Sequence, residues 1–364
     1  MQFEYLANEL VVQVFFSCSS VTDVTNLATT CHRFHRLYSG SQRLPILSRA
    51  AEAQYGPIEE AIQLITHNDS QPAHVVRHVP LSLALLKQVM AVGQVAKKWE
   101  DAYPIKKWKY NYEDRRLLTA AERFRLRRAI YRLWLYDRAF HNRNHPRFSR
   151  LQRTMVLERA ELLHNWNTAE LAEIEDARQV LRDVLQNHIC PSNGTIQRKF
   201  RKRFPEVDQQ LLFNIHLNYP PPPSASSPHH FGSAPPQHHH QPYNSPATST
   251  TPPPPTTRKP YSKYLPTPSH EPGTEGWGDE IPHYYVVEDM LKLDPGQIMW
   301  LKENAPLKGQ VEIFVRGLGE WFENNGETFA QTLEWVMGER AGDAEQLREA
   351  VRAEDMGIAK RSDV

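Results

Sequence analysis

The side chains best suited to chemistry near the start of the chain are thiols and imidazoles. Cys18, Cys31, His32 and His35 are of types that ligate zinc, and Cys190 is the third cysteine of the chain. Their spacing does not match the CxxC pattern of zinc or redox sites, and Cys31 falls on a predicted apolar stripe, where a small buried thiol is common. We therefore expect no metal centre, and three free thiols fit a reducing compartment.

Short motifs of common enzymes are also missing from the sequence. It contains no GxSxG nucleophile elbow, no P-loop, no GxGxxG and no HExxH. We therefore predict a protein that is not an enzyme and that binds no cofactor.

A stretch of basic residues interleaved with aromatic ones, KKWEDAYPIKKWKYNY, occupies 97–112. Between 97 and 153 there are 17 Lys and Arg against 6 Asp and Glu, a net charge of +11. Lysine and arginine can contact phosphates, and aromatic rings can stack on bases, so this stretch suits nucleic-acid binding as one alternative function. The same rings would equally suit the core of a helical domain. Another alternative is docking of an acidic or phosphorylated substrate, and the arginines suited to it are Arg115, Arg116, Arg123 and Arg127.

The end of the chain carries the opposite charge. From 270 to 364 there are 20 Asp and Glu against 9 Lys and Arg, a net charge of −11. Because the two regions have opposite signs, we expect the basic middle and the acidic end to attract one another.

The elements that must position these residues are predicted to be helices. Apolar residues recur at three and four positions, and strand patterns are nearly absent. The clearest helix is 119–141, where Thr119 and Glu122 have capping-box spacing, and a second long helical stretch covers 151–188. The fold class is mainly α, with 364 residues and 40% apolar content leaving room for two ordinary domains.

Composition divides the chain into four parts. We assign N-terminal helices to 1–45, an irregular all-helical domain to 46–218, a linker rich in Pro, Ser, Thr and His to 219–276, and a small acidic helical module to 277–364. The linker has almost nothing to bury and contains PPPP at 220–223 and 252–255, so it is predicted to be extended.

The apolar run LVVQVFF at 10–16 is too short to cross a membrane. Glu4 and Glu9 stand where a signal peptide would be positively charged. We expect no membrane association and an intracellular location, in the cytoplasm, the nucleus or both.

The sequence from 6 to 37 predicts two short helices with more apolar surface than they can bury together. In the first, one face carries Leu10, Val11, Val14, Phe15 and Cys18, while Val12 and Phe16 lie on the other side. In the second, Ser20 and Asp23 have capping-box spacing before a continuous stripe of Val24, Leu27, Ala28, Cys31 and Phe34. The surplus surface predicts either packing on the following helical domain or an interface with a partner.

The order and spacing of these residues resemble the F-box motif, written L-P-x-E-L, then a D-L pair, then C-x-x-F. The chain departs from the motif at Ala7, where proline is usual, and at Val24, where leucine is usual. Proline would pre-set the first helical turn. The residues that carry the resemblance are, in order, Leu6, Glu9, Leu10, Val14, Asp23, Val24, Leu27, Thr30, Cys31, Arg33, Phe34 and Leu37.

The resemblance implies the substrate receptor of a Skp-cullin-F-box ubiquitin ligase, and the segment ERFRLRRAIYRLWLYDRAF resembles a helix of filamentous-fungal F-box proteins. Such a receptor binds a Skp-family adaptor, and through it a cullin, and presents a protein substrate, here unknown. A non-proteolytic F-box scaffold is the alternative within the family. The residues implied at the adaptor are Leu6, Ala7, Glu9, Leu10, Val14, Phe16, Asp23, Val24, Leu27, Cys31 and Phe34.

Overall fold

The computed structural model describes residues 6–146, 148, 150–196, 198, 276–278, 282–319, 322 and 327–361. Within these ranges the chain is mainly helical and forms no β-strand, as the spacing of apolar residues predicts. The predicted linker lies outside the described residues apart from Gly276. Among the described helices, none combines the length and the apolar character needed to cross a membrane.

The helices follow one another closely in two groups, before and after the predicted linker. The first group is α1 (Asn8–Ser17), α2 (Val21–Thr29), α3 (His32–Tyr38), α4 (Arg43–Tyr55), α5 (Ile58–Thr66), α6 (Leu83–Lys107), α7 (Ala120–Phe140), α8 (Arg153–His164) and α9 (Thr168–Val184), which continues into a π-helical turn (Leu185–Ile189). The second group is α10 (His283–Met290), α11 (Pro295–Asn304), α12 (Lys308–Leu318), α13 (Phe329–Glu339) and α14 (Ala344–Arg352).

Helix α7 confirms the clearest sequence prediction. The Thr119 hydroxyl accepts a hydrogen bond from the Glu122 amide, and the Glu122 carboxylate accepts one from the Thr119 amide, which is the reciprocal capping box. The helix ends one residue before His141, close to the predicted end. The apolar spacing also places Phe124 on the buried face of this helix, but its side chain is 38% exposed.

The predicted helical stretch 151–188 is interrupted, because its sequence contains a second capping signal. Asn167 caps α9, and its side chain accepts from the amide of Glu170, whose carboxylate accepts from the Asn167 amide. The chain leaves α8 at Asn165, and Trp166 is buried in the turn. An Asn favours this cap over the helix interior, which is why two helices form instead of one.

In the described residues, the predicted acidic helical module contains five helices, of which α14 is the last. Asp343 caps α14 by accepting from the Glu345 amide, and Leu347 and Val351, four residues apart, are buried. This helix has few apolar residues, so the i, i+4 spacing of its apolar positions is recognisable only once the capping residue is known.

The buried apolar side chains form two cores. The smaller one joins α1 to α4 and includes Leu86 of α6. The larger one contains Trp99 and Tyr136 from the first group of helices together with Ile298 and Leu333 from the second. The helices before and after the linker therefore share one core.

The basic middle and the acidic end of the chain are in contact, as their opposite charges predict. The Lys98 ammonium lies 2.7 Å from a Glu303 carboxylate oxygen, and Arg125 donates to the Ile358 carbonyl at 2.9 Å. Trp99 also donates its indole N–H to the Pro295 carbonyl at 3.1 Å. Apolar packing and backbone acceptors contribute to this contact as well as opposite charges.

Asp176 on α9 fixes the last described turn of the chain. Its buried carboxylate accepts from the Tyr103 hydroxyl at 2.6 Å, from Lys107 at 2.9 Å and from the Ile358 amide at 3.0 Å. The chain can approach because Gly357 has φ of +106°, and a Cβ there would meet an Asp176 oxygen at 2.7 Å.

Candidate adaptor-binding surface

The N-terminal segment forms three helices where the sequence predicted two. Helix α2 ends at Thr29, and the hydroxyls of Thr29 and Thr30 donate to carbonyls three residues back. Cys31 is extended, with φ of −153°, and its sulfur accepts from the Phe34 amide at 3.5 Å as the N-cap of α3. The prediction of one continuous second helix was therefore wrong, and Cys31 is a half-buried cap rather than a residue on a helical stripe.

The core of this unit is built around Phe15. Its ring centroid lies 6.3 Å from that of Phe34, edge to face, and 6.0 Å from that of Tyr38, stacked. Val11 and Val24 are almost completely buried beside it. Aromatic pairs at these distances add about 0.5–1.5 kcal/mol beyond the area they bury.

Polar contacts fix the helices relative to one another. Arg33 on α3 donates to the Asn8 side chain at 2.7 Å and to the Leu6 carbonyl, which ties α3 to the start of α1. The Val21 amide donates at 3.0 Å to the Gln54 side chain on α4. The position of α1, and therefore of its outward face, is set by these contacts.

The outward face of α1 carries apolar side chains that the core does not use. Leu10 and Val14 lie one turn apart, Leu10 is 53% exposed and Val14 is half-buried. Neither belongs to the side chains that pack on the core around Phe15. A leucine and a valine presented together on a fixed helix form an apolar edge that a partner can cover.

The predicted adaptor residues fall into three classes of burial. Val24 and Phe34 are buried, so they support the unit and do not reach a partner directly. Half-buried are Leu6, Val14, Phe16, Leu27 and Cys31, and exposed are Ala7, Glu9, Leu10 and Asp23. Sequence reasoning missed Tyr38, an aromatic residue just beyond the motif, and did not predict that Arg33 ties α3 to the start of α1.

The capping predictions for this unit are met in part. Ser20 accepts from the Asp23 amide at 3.0 Å, which is one half of a capping box. Ala7 is the N-cap of α1 and gives it no side-chain hydrogen bond. The Asp23 side chain remains exposed.

The thiols near this surface are poorly suited to chemistry. Burial, with a smaller effect from Asp23, raises the pKa of the Cys18 thiol, so the thiol remains protonated at neutral pH. Metal binding would need the thiolate. In the part of the chain that the structure describes, no cluster of three or more His, Cys, Asp or Glu residues has the geometry to hold a metal ion.

Two of the four arginines predicted to bind a substrate are already paired with carboxylates. Arg127 is buried and lies 3.2 Å from a Glu100 oxygen, and Arg116 pairs with Glu122 at 2.5 Å. Arg115 and Arg123 are exposed, and each donates to a backbone carbonyl in the segment between α6 and α7. The structure therefore does not form one cationic surface from the four.

The basic aromatic stretch is largely used inside the protein. Its rings at Trp99, Tyr103 and Trp108 are buried in the large core, while those at Tyr110 and Tyr112 are exposed. Four of its lysines lie within 3.0 Å of a carboxylate oxygen, namely Lys98 of Glu303, Lys106 and Lys109 of Asp183, and Lys107 of Asp176. These contacts weigh against a nucleic-acid surface here.

Comparisons of the whole chain with family models, with curated proteins and with solved structures find no match.

Proposed function

We propose that this chain is a non-catalytic substrate receptor of a Skp-cullin-F-box ubiquitin ligase. The resemblance of residues 6–37 to the F-box motif suggests the partner, a Skp-family adaptor. The observation that carries the proposal is the apolar edge of Leu10 and Val14, presented outward on a helix whose other face is buried. Such an edge is consistent with a surface that is completed by another protein.

In this role the chain needs no nucleophile or base. A receptor of this kind holds a substrate near a conjugating enzyme that it does not touch, so it acts by raising local concentration. The helices from α5 onward, with their single large core, would present the substrate. A scaffold that binds the adaptor without promoting ubiquitination would use the same edge.

The decisive experiment is co-purification of the full chain with a Skp-family adaptor, using wild type and a Leu10→Asp variant. Leu10 contributes little to the folded chain because it is 53% exposed, so the variant should fold. A charge at a dry interface costs at least about 2 kcal/mol, and we therefore expect the dissociation constant to rise about 30-fold or more.

Leu117→Asp is the matched control, since Leu117 is 87% exposed and lies far along the chain from the edge. It should bind the adaptor like the wild type. Failure of the folded wild type to bind, or equal binding by the Leu10 variant, would overturn the proposal. If the adaptor binds, co-isolation of a cullin and ubiquitination of bound proteins separate the receptor from the scaffold.

A further inference from the structure

A cleft of about 530 Å³ opens between α9 and the helices that follow the linker. Its lining combines four arginines with three glutamates, from α9, α10 and α14, and Gln179 adds a carboxamide. The floor is formed by Glu175 and Arg178, whose side chains are 3% and 5% exposed. Charged groups so deeply buried normally have all their hydrogen-bonding atoms satisfied.

The floor has one donor and one acceptor left over. In the described part of the chain, neither Arg178 Nη2 nor Glu175 Oε2 has a hydrogen-bond partner. The nearest opposite charges are 3.3 Å away on Glu327 and 3.6 Å away on Glu288 for Arg178, without hydrogen-bond geometry. Within the pair, Arg178 Nη1 and Glu175 Oε2 are 3.8 Å apart, so the unused acceptor lies beside the guanidinium that carries the unused donor.

One residue of an extended peptide presents the complementary pair of atoms. The C=O and N–H of a single trans amide point in opposite directions, but the N–H and C=O of one extended residue point to the same side, so the carbonyl can accept from Arg178 while the N–H donates to Glu175. These backbone groups carry no net charge, so they satisfy both atoms without bringing a carboxylate against Glu175 or an ammonium against Arg178.

The rim of the cleft carries exposed ion pairs whose arginines can exchange their carboxylate partners. Arg182 is 43% exposed and pairs with Glu288, and Arg352 is 56% exposed and lies 3.0 Å from Glu345, itself 52% exposed. Exposed ion pairs contribute about 0–1 kcal/mol, so an incoming carboxylate can replace them at little cost. A guanidinium can then bind that carboxylate through two parallel hydrogen bonds.

We propose that this cleft binds an extended acidic peptide. The N–H and C=O of one extended residue of the peptide bind Glu175 and Arg178, and acidic side chains on either side of that residue bind Arg182 and Arg352. The site lies outside the N-terminal helices, and it does not depend on the proposed function.

The test is a selection of peptides from a random twelve-residue display library on the full-length chain, followed by binding measurements with the enriched peptides. We expect enrichment of Asp and Glu, and a dissociation constant at least 10-fold weaker for an Arg182→Gln, Arg352→Gln double variant. Arg178→Gln should weaken binding as well, if the variant remains folded by circular dichroism.

Arg316→Gln is the matched control, because Arg316 is an arginine 40% exposed that lies near Glu312 on α12 and does not line the cleft. It should leave binding unchanged. The proposal is overturned if the enriched peptides are neutral or basic, if wild type and the double variant select and bind the same peptides equally, or if nothing is enriched on the wild type.

Discussion

The strongest prediction concerns a buried pair at the end of α7. Asp137 Oδ1 lies 3.1 Å from His141 Nδ1, and both side chains are almost completely excluded from solvent. His141 Nε2 lies 3.1 Å from the Thr328 hydroxyl, which lies 2.9 Å from the Tyr136 hydroxyl. The pair therefore connects α7 to the helices that follow the linker.

The surroundings favour the neutral form of both groups. Burial raises the pKa of Asp137 well above its usual value, with added repulsion from Asp294 and Glu327. Burial also lowers the pKa of His141 well below its usual value, with added repulsion from cations that include Lys292, Arg159 and Arg178. With both groups neutral, the Asp137 carboxyl retains its proton and the His141 ring carries a single one, while the two facing atoms lie 3.1 Å apart without hydrogen-bond geometry.

This retained proton fixes how stability depends on pH. The Asp137 carboxyl in the unfolded chain loses its proton at a pH of about 4 and keeps it in the folded chain, so its contribution to stability is lost as pH rises above about 4. Replacing Asp137 by Asn removes that proton and keeps the shape. The difference in unfolding free energy, wild type minus Asp137→Asn, should fall as pH rises above about 4, by up to about 1.4 kcal/mol per pH unit for as long as the folded carboxyl keeps its proton.

The assay is urea unfolding of both chains at each pH, with Asp101→Asn, at an exposed carboxyl on α6, as the control. The control should show the wild-type profile. A difference between wild type and Asp137→Asn that stays constant with pH would refute the retained proton. Nitrogen NMR of the His141 ring supplies a second readout, and we expect a neutral imidazole at pH 7.

Three further predictions concern other buried groups. Burial raises the pKa of Asp294 to about 6, so the stability that its protonated carboxyl contributes is lost as pH rises through 6. The unfolding free energy of Asp294→Asn, measured by urea unfolding, should therefore rise relative to that of the wild type by about 3 kcal/mol between pH 4 and 7. Arg127→Gln leaves Glu100 buried without its partner and should cost about 3–5 kcal/mol, part of which adding Glu100→Gln recovers in a double-mutant cycle. Gly357→Ala forces a Cβ against Asp176 and should lower the unfolding free energy by more than about 1 kcal/mol.

Each of these has an outcome that contradicts it. An Asp294→Asn chain with the wild-type dependence on pH would mean that the Asp294 carboxyl is not protonated on folding. Additive losses at Arg127 and Glu100 would show that the two are not coupled. Gly309→Ala is the control for the glycine, because its Cβ meets nothing within 4 Å and the change should be neutral or stabilising.

Elements with local signals were predictable from the sequence. Helix α7 follows from Thr119 and Glu122 and from its apolar spacing, and both lie within one turn of one another. The break at Cys31 was not predicted, because the stripe from Val24 to Phe34 continues smoothly across it. The helix breaks there because the hydroxyls of Thr29 and Thr30 donate to backbone carbonyls and the Cys31 sulfur caps the next helix. These weak hydrogen bonds compete with continued helix, and only the coordinates reveal them.

The candidate adaptor-binding surface was also predictable only in part. The order of apolar residues between Leu6 and Phe34 suggested an interface, but spacing treats every apolar position alike. Packing separates them, since Val24 and Phe34 are buried while Leu10 is exposed. That difference depends on where α3 and α4 lie relative to α1. Contacts between residues far apart in sequence set these positions, such as that of Arg33 with Asn8, which are 25 residues apart.

The distribution of charge along the sequence likewise predicts an attraction between regions but not the individual partners. Composition by itself determined that a basic middle and an acidic end would attract one another. It did not determine that Lys107 would meet Asp176, or that Arg178 and Glu175 would be buried with unused atoms facing a cleft. Net charge is a sum over residues and needs no geometry, whereas the partner of each charge depends on which helices pack together, and the shared apolar core decides that.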